Sequence, residues 1–201
     1  MKLAIVGSAL NGGSLQIIDA LDGRVSNSFI RIYDDNAFQK SDNVNGIKIV
    51  GRVNDIKNDL EKSLIDSIII GVCSLPARKS LFDKLSYLQN YGIKFVNIIS
   101  NRSIISKSAK LGIGNVILPA SFIGPNVQLG DNNYITSGTC INHDCVLGSH
   151  SYLSTGVSIA GKVNMGNSIR LDTGCSITAG AKIDDDIHIL PGEVFGPQRG
   201  R

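Results

Sequence analysis

Every sixth residue from Ile93 to Ile189 is a branched aliphatic residue or a methionine. The series reads Ile93, Ile99, Ile105, Leu111, Ile117, Ile123, Leu129, Ile135, Ile141, Leu147, Leu153, Ile159, Met165, Leu171, Ile177, Ile183 and Ile189. An α-helix repeats its apolar face roughly every 3.6 residues and a strand every second residue, so neither element explains this period. A period of six is typical of a parallel β-helix, in which each hexapeptide forms one short strand and three hexapeptides complete a triangular coil.

Small residues accompany the aliphatic series and support the same interpretation. Two positions before the aliphatic residue, most side chains are small or β-branched, as in Ala109, Ser121, Val127, Thr139, Cys145, Ser151, Val157, Val163, Cys175 and Ala181. The residue after it is often a glycine, namely Gly112, Gly124, Gly130, Gly148 and Gly166. A β-sandwich is the alternative for an apolar chain, but a sandwich has no reason to keep one phase for so long. We therefore predict a left-handed β-helix with uniform coils over residues 99–201.

Residues 1–98 follow a different pattern, in which apolar strands alternate with amphipathic helices. The predicted strands are Leu3–Val6, Phe29–Tyr33, Ile47–Val50, Ile65–Ile70 and Lys94–Ile98, and the predicted helices are Leu15–Gly23, 53–63 and 77–90. This alternation predicts a small Rossmann-like parallel sheet with right-handed crossovers. The expected fold class is α/β plus all-β, with the first domain at 1–98 and the β-helix domain at 99–201.

Composition and charge argue against several classes of function. The net charge is +3 with no basic block, which argues against nucleic acid as the main partner. The sequence contains no run of roughly 18 apolar residues, so no membrane span is expected. The N-terminus leads directly into the first strand without a signal-peptide pattern. The four cysteines lack metal-ligand spacing and indicate reduced side chains, so a cytoplasmic protein is expected.

The carboxyl edge of the first domain's sheet is a candidate ligand site. Ala9, in the glycine-rich turn Gly7–Gly13, stands where the dinucleotide fingerprint needs a glycine, and the turn has no P-loop lysine. Such a turn still points backbone N–H groups at an anion. Asp34, Asp35 and Gly71 follow two further strands at the same edge, where sheets of this type bind ligands. A nucleotide-type ligand and ordinary turn chemistry both remain open.

His143 and Asp144 are candidates for general-base chemistry. An imidazole titrates near neutral pH, and a carboxylate can orient it and stabilise the imidazolium. Adjacent residues of a strand point in opposite directions, so the two side chains can meet only if the chain turns a corner here. A solvated corner histidine is the open alternative.

The remaining histidines do not predict a metal site. His150 and His188 are expected at surface corners. A zinc site made by three histidines, as in carbonic anhydrases of this solenoid fold, would need a spacing that His143, His150 and His188 do not have. No metal is expected.

The segment INHDCVLG at residues 141–148, set in a hexapeptide series that follows a small α/β domain, resembles the NeuD/PglD-type bacterial sugar acetyltransferases of the hexapeptide-repeat family. The resemblance covers nearly the whole chain. It implies that His143 is the general base and that Asp144 assists it. It also implies a nucleotide-sugar site in the first domain, at Gly7, Ala9, Leu10, Asn11, Asp34, Asp35 and Gly71.

The same resemblance implies that acetyl-CoA lies in a groove between subunits. One coil beyond the base lies Gly161, whose backbone N–H would contact the acetyl oxygen, and Tyr152 and Thr173 are further cofactor-binding positions. The chain departs from the family at Leu10, where a glycine is usual, and at Asn11 and Tyr152, where histidines are usual. It also ends at Arg201 without the family's usual closing segment, which leaves two alternatives open, weaker acetyl-CoA binding or a natural truncation.

The sequence therefore predicts an acetyl-CoA-dependent acetyltransferase that N-acetylates a nucleotide-activated amino sugar. O-acetylation of a sialic acid or a related sugar is one alternative, because a hydroxyl needs a base even more than an amine does. A non-catalytic, trimeric sugar-nucleotide-binding or scaffold protein is the other. A homotrimer is expected, because three prisms packed around an axis bury one face each and form grooves between chains.

Overall fold

The structure is a computed structural model that describes residues 1–7, 12–39 and 43–197. The chain divides into two compact units, Met1–Ile98 and Ile99–Arg201.

The first unit contains a six-stranded sheet within the described residues. Its strands are β1 (Leu3–Val6), β2 (Ile30–Tyr33), β3 (Asn43–Val44), β4 (Ile47–Gly51), β5 (Ser67–Ile70) and β6 (Lys94–Phe95), in the spatial order β3-β4-β2-β1-β5-β6. The α-helices are α1 (Gly13–Leu21), α2 (Ile56–Glu61) and α3 (Leu75–Ser86), and 3₁₀ turns occupy Asn27–Phe29, Val53–Asp55 and Tyr87–Tyr91. The central strands pair in parallel, as predicted.

Two local features of this unit differ from the prediction. The predicted helices 53–63 and 77–90 are each split into an α-helix and a 3₁₀ turn. The antiparallel β3–β4 hairpin was not predicted. Its turn consists of Asn45 and Gly46, both with positive φ (49° and 79°), which is the Asn-Gly signal of a tight hairpin.

Strands β1 and β5 are buried along their whole length. A parallel sheet covered on both faces needs continuous apolar strands, which explains why Leu3–Val6 and Ile68–Ile70 do not alternate with polar residues. Ile93 packs in this core, 3% exposed. The first member of the six-residue series therefore belongs to the sheet unit, and the coils begin after it.

The second unit is a three-sided parallel β-helix of two-residue strands. The first face holds Ile98–Ile99, Val116–Ile117, Tyr134–Ile135, Tyr152–Leu153, Arg170–Leu171 and His188–Ile189. The second face holds Ile104–Ile105, Phe122–Ile123, Cys140–Ile141, Ser158–Ile159, Ser176–Ile177 and Val194–Phe195. The third face holds Lys110–Leu111, Gln128–Leu129, Val146–Leu147, Asn164–Met165 and Lys182–Ile183. Stacked strands pair in register one coil apart, as Ile123 does with Ile141.

The aliphatic series points inward and forms one continuous core. Small residues that precede it, such as Cys145 and Cys175, are fully buried and fill the corners of the same core. The turns between faces repeatedly place a residue in the left-handed region, including Asn126 at φ 58° and Asp144 at φ 57°. Asparagine and aspartate tolerate this conformation better than most side chains do, so these corners are locally consistent with the fold.

Candidate active site

His143 and Asp144 lie in the turn that connects Cys140–Ile141 on the second face to Val146–Leu147 on the third. The left-handed backbone of Asp144 at this corner brings its carboxylate to the imidazole. The distance from His143 Nδ1 to Asp144 Oδ2 is 2.8 Å. The corner thus permits the contact between sequence neighbours that a straight strand would prevent.

Asp144 is held from two sides. Its Oδ1 accepts a hydrogen bond from Asn126 Nδ2, 3.0 Å away and one coil earlier. The hydrogen bond from Asn126 and then that from His143 hold the pKa of Asp144 below its usual range, so this carboxyl is ionised at neutral pH. A carboxylate can only accept a hydrogen bond, so Nδ1 of His143 carries a proton, and in the neutral imidazole Nε2 then has the lone pair.

Gly161 packs against the edge of the His143 imidazole that carries Cε1 and Nε2. A Cβ built on Gly161 would lie 2.7 Å from both Cε1 and Nε2 of His143. The backbone of the same coil is tied to the histidine, because Lys162 N donates to His143 O at 2.9 Å. A side chain at position 161 would push the ring away, so the glycine is a steric requirement of this ring position.

Tyr152 and Thr173 lie elsewhere in the coil. Tyr152 is on the first face, stacked on Tyr134 with ring centroids 5.9 Å apart, and the Arg170 guanidinium lies 5.4 Å from its ring centroid. Thr173 lies in the turn from the first face to the second, where its Oγ1 is 3.0 Å from Ser154 Oγ. Within one chain, the structure brings His143, Asp144 and Gly161 together, whereas these two residues stand away from that corner.

The prediction that His188 lies at a surface corner is wrong, because this residue is in a strand of the first face, and its contact with an aspartate was missed by sequence reasoning. His188 Nε2 lies 2.6 Å from Asp172 Oδ2, and Arg170 Nε donates to Asp172 Oδ1 at 2.8 Å. Arg170 and His188 are register partners one coil apart. The period of the coil could have located this cluster, because it aligns residues that are 18 positions apart.

A cavity of about 450 Å³ lies at the carboxyl edge of the sheet in the first unit. Its lining includes Gly7, Asp34 and Asp35 from the predicted set, and also Ser74, Val72, Ala77 and Ser80, which were not predicted. These additional residues come from the loop that follows β5 and from α3, the next helix. The prediction of a site at this edge has a matching cavity.

The two aspartates of this cavity also accept hydrogen bonds from backbone N–H groups of nearby loops. Asp34 Oδ1 accepts hydrogen bonds from the backbone N–H groups of Asn36 and Ala37, at 2.8 and 2.9 Å. Asp35 Oδ1 accepts one from Val53 N at 2.9 Å. Both carboxylates therefore stabilise the loops that shape the cavity, in addition to lining it.

Gly71 has a packing role that sequence reasoning did not distinguish from binding. A Cβ at Gly71 would lie 2.8 Å from Gly7 O and 3.2 Å from Ser14 Oγ, so the glycine lets the ends of β1 and β5 approach each other. Ala9, Leu10 and Asn11, three of the predicted nucleotide-sugar residues, lie outside the described residues.

In the described residues, no helix is long and apolar enough to cross a membrane. No cluster of three or more His, Cys, Asp or Glu side chains suited to a metal ion occurs in the same part of the chain. None of the four cysteines, all of which lie in the described part of the chain, forms a disulfide.

The fold and site define a two-unit class: a Rossmann-like parallel sheet followed by a left-handed hexapeptide β-helix with a histidine–aspartate pair at one corner. No protein-family model and no curated protein sequence matches the chain. Among solved structures, a mutant of GDP-perosamine N-acetyltransferase from Caulobacter crescentus, in complex with CoA and GDP-perosamine, is similar over 97% of this chain and 88% of that chain, with a TM-score of 0.86 and 23% identity.

Two further solved structures share the fold. The acetyltransferase domain of PglB from Neisseria gonorrhoeae, in complex with acetyl coenzyme A, has a TM-score of 0.83 and 22% identity over 95% of this chain and 89% of that chain. WeeI from Acinetobacter baumannii has a TM-score of 0.71 and 16% identity over 96% and 92% of the two chains. These similarities confirm the predicted fold class across both units.

Proposed function

We propose that this protein is an acetyl-CoA-dependent acetyltransferase that N-acetylates a nucleotide-activated amino sugar. The observation that carries the proposal is the corner at which Asp144 holds Nδ1 of His143 while Nε2 faces Gly161. The proteins named N-acetyltransferase and acetyltransferase domain, with CoA or acetyl-CoA bound, support the same chemistry by analogy of fold.

The corner has the groups that amide formation from a thioester requires. The sugar amine attacks the thioester carbonyl carbon and gives its proton to His143 Nε2, so that a C–N bond forms. The C–S bond then breaks, and the thiolate of CoA takes the proton from the imidazolium. General-base assistance of this kind is worth about 10²–10⁴-fold in rate.

Asp144 and Gly161 assist in different ways. The ionised Asp144 fixes the Nδ1–H tautomer of His143 and stabilises the imidazolium that forms. We assign the Gly161 N–H as the donor to the oxyanion that develops on the thioester carbonyl. One well-aimed donor of this type contributes roughly 3 kcal/mol to transition-state stabilisation.

We assign the cavity of the first unit to the nucleotide part of the substrate. Its volume of about 450 Å³ is in the range of small-ligand sites. The side chains of Asp34, Asp35 and Ser74 line it and offer polar contacts. Sheets of this topology bind ligands beyond the carboxyl ends of their strands, which supports the assignment.

We also propose a homotrimer in which each acetyl-CoA site uses two chains. The His143 corner joins the second and third faces, so it lies opposite the first face of its own prism. Tyr152 and Thr173 can approach bound acetyl-CoA beside His143 only if a neighbouring chain supplies them. Four cysteines that form no disulfide are compatible with the proposed cytoplasmic location.

An acetyl-transfer assay with a panel of UDP- and GDP-linked amino sugars tests the proposed function. We expect CoA release with at least one amino sugar and an amide product by mass spectrometry. The matched control is the same sugar nucleotide with a hydroxyl in place of the amine. Turnover of the hydroxyl compound alone would indicate O-acetylation, and nucleotide-sugar binding without acetyl-CoA binding would favour the non-catalytic alternative.

A further inference from the structure

Asn126 connects the His143 site to the preceding coil. It occupies the same corner as Asp144 one coil earlier, and both residues have left-handed backbones, with φ 58° and 57°. Its side-chain amide donates to Asp144 Oδ1 at 3.0 Å. Its own backbone N–H donates to Ser108 Oγ at 3.0 Å, which ties it to the coil before. The corner therefore carries a ladder of polar contacts from Ser108 through Asn126 to Asp144.

We propose that Asn126 is a positioning residue, which holds the Asp144 carboxylate in the plane that fixes the Nδ1–H tautomer of His143. The inference deepens the proposed function and rests on it for its kinetic consequences. Asn126 does not touch the ring, since its amide contacts the carboxylate oxygen that His143 leaves free.

The need for such a residue follows from the exposure of the pair. The side chains of His143 and Asp144 are 50% and 43% exposed, so water competes for the carboxylate. A carboxylate held at one oxygen can rotate toward solvent, whereas one held at both oxygens has one orientation toward the ring. Hydrogen bonds to an ionised group are stronger than those between neutral groups, so the Asn126 contact is suited to this task.

A purely conformational role is the competing explanation, because asparagine is common at left-handed positions. The variant Asn126→Gly separates the two roles, since glycine accepts this backbone and removes only the amide. Asp186→Gly is the matched control. Asp186 is an exposed residue with φ 61° at another corner of the β-helix, so it undergoes the same backbone change away from His143.

Long-range ¹H–¹⁵N spectra of the histidine side chains test the proposal without any substrate. In the unmodified protein we expect His143 in the Nδ1–H form above the pH at which it titrates. In Asn126→Gly we expect a mixture of the two neutral tautomers, and in Asp186→Gly the unchanged Nδ1–H form. An unchanged Nδ1–H form in a folded Asn126→Gly protein would overturn the proposal.

Kinetics provide the second readout. Asn126→Gly should lower kcat about three- to tenfold with KM unchanged for both substrates, because the amide contacts neither of them. In Asn126→Asp a second carboxylate favours the protonated imidazole, so the acid limb of the pH–rate profile should move toward higher pH. If the unmodified protein transfers no acetyl group, the proposed function fails, while the tautomer measurement still decides the role of Asn126.

Discussion

The β-helix unit contains two histidine–aspartate contacts that differ in what surrounds them. The corner pair is His143 with Asp144, and the face pair is His188 with Asp172. In the corner pair, Nδ1 meets the carboxylate and Nε2 faces a glycine. In the face pair, Nε2 itself is bonded to the carboxylate, which also accepts a hydrogen bond from Arg170.

The comparison indicates which of the two histidine–aspartate contacts is better suited to general-base chemistry. A base needs a lone pair that is not used to bond its carboxylate partner, and a carboxylate that is available to stabilise the imidazolium. The corner pair has both features. In the face pair the carboxylate is shared with a permanent cation, so less of its charge is available to His188, and the contact is better suited to hold the first face together.

The largest expected difference between the pairs is in turnover. His143→Ala should lower kcat about 10²–10⁴-fold, because it removes the proton acceptor. His188→Ala, the matched control, should lower kcat less than about threefold. Steady-state acetyl-transfer rates of the two variants check this prediction, with circular dichroism and light scattering to verify the fold and the oligomeric state. Comparable losses in the two variants would contradict the distinction.

Gly161→Ala should have the next largest effect. The added Cβ would approach the imidazole to 2.7 Å, so the ring must move from the position that we assign to the general base. Small displacements of a catalytic group are costly, and we expect kcat to fall roughly 10- to 100-fold. Ala179 occupies the same corner position one coil later, which indicates that the fold accepts a Cβ there.

Isothermal titration calorimetry separates two possible effects of the Gly161 replacement. The larger variant Gly161→Val should also block acetyl-CoA binding while nucleotide-sugar binding is retained. Undiminished acetyl-CoA affinity in Gly161→Val would place the cofactor elsewhere.

A smaller effect is expected for Asp144→Asn, because the amide retains the shape of the carboxylate but cannot stabilise the imidazolium as well. We expect kcat to fall about tenfold. Asp172→Asn is the matched control in the face pair and should leave kcat within about twofold. If the two variants lost activity equally, the carboxylate of the corner pair would have no special role.

The smallest expected effect is on thermal stability, and it concerns the ion pair of Asp172 in the face pair. Burial alone would raise the pKa of Asp172, but the hydrogen bonds from His188 and Arg170 outweigh it and lower that pKa. The stabilisation is therefore present above the unfolded-state pKa of about 3.9 and is lost as the pH falls through the lower folded-state value. Asp172→Asn should lower Tm by about 2–4 °C at pH 7 and much less near pH 3. An equal decrease in Tm at both pH values would argue against the ion pair.

The β-helix could be predicted in detail because each coil contacts mainly its neighbours. A strict period therefore fixes the strands, the inward column and the corners at once. Ile93 shows the limit of this reasoning, because it continues the period but packs in the sheet unit. The six-residue period does not reveal where the first coil begins, because the core of the sheet unit before it also needs an aliphatic residue at this position.

The sequence predicts those parts of the candidate site that join neighbouring residues or positions one coil apart. The His143–Asp144 contact joins neighbouring residues, and Gly161 follows by adding one coil. The support from Asn126 and the cluster around Asp172 depend on side-chain direction at corners, which periodicity does not give. Likewise, the sequence could not show that Asp34 and Asp35 bond backbone N–H groups, because those donors belong to loops whose paths only the structure provides.

The pH dependence of kcat in the unmodified protein and in His143→Ala tests the central claim most directly. If Nε2 of His143 accepts the proton of the amine, the unmodified protein should lose activity on the acid side, within the range of about pH 5–8 in which histidines titrate. The residual activity of His143→Ala should lack that acid limb, while His188→Ala should retain it. An unchanged acid limb in His143→Ala would contradict the assignment of His143 as the general base.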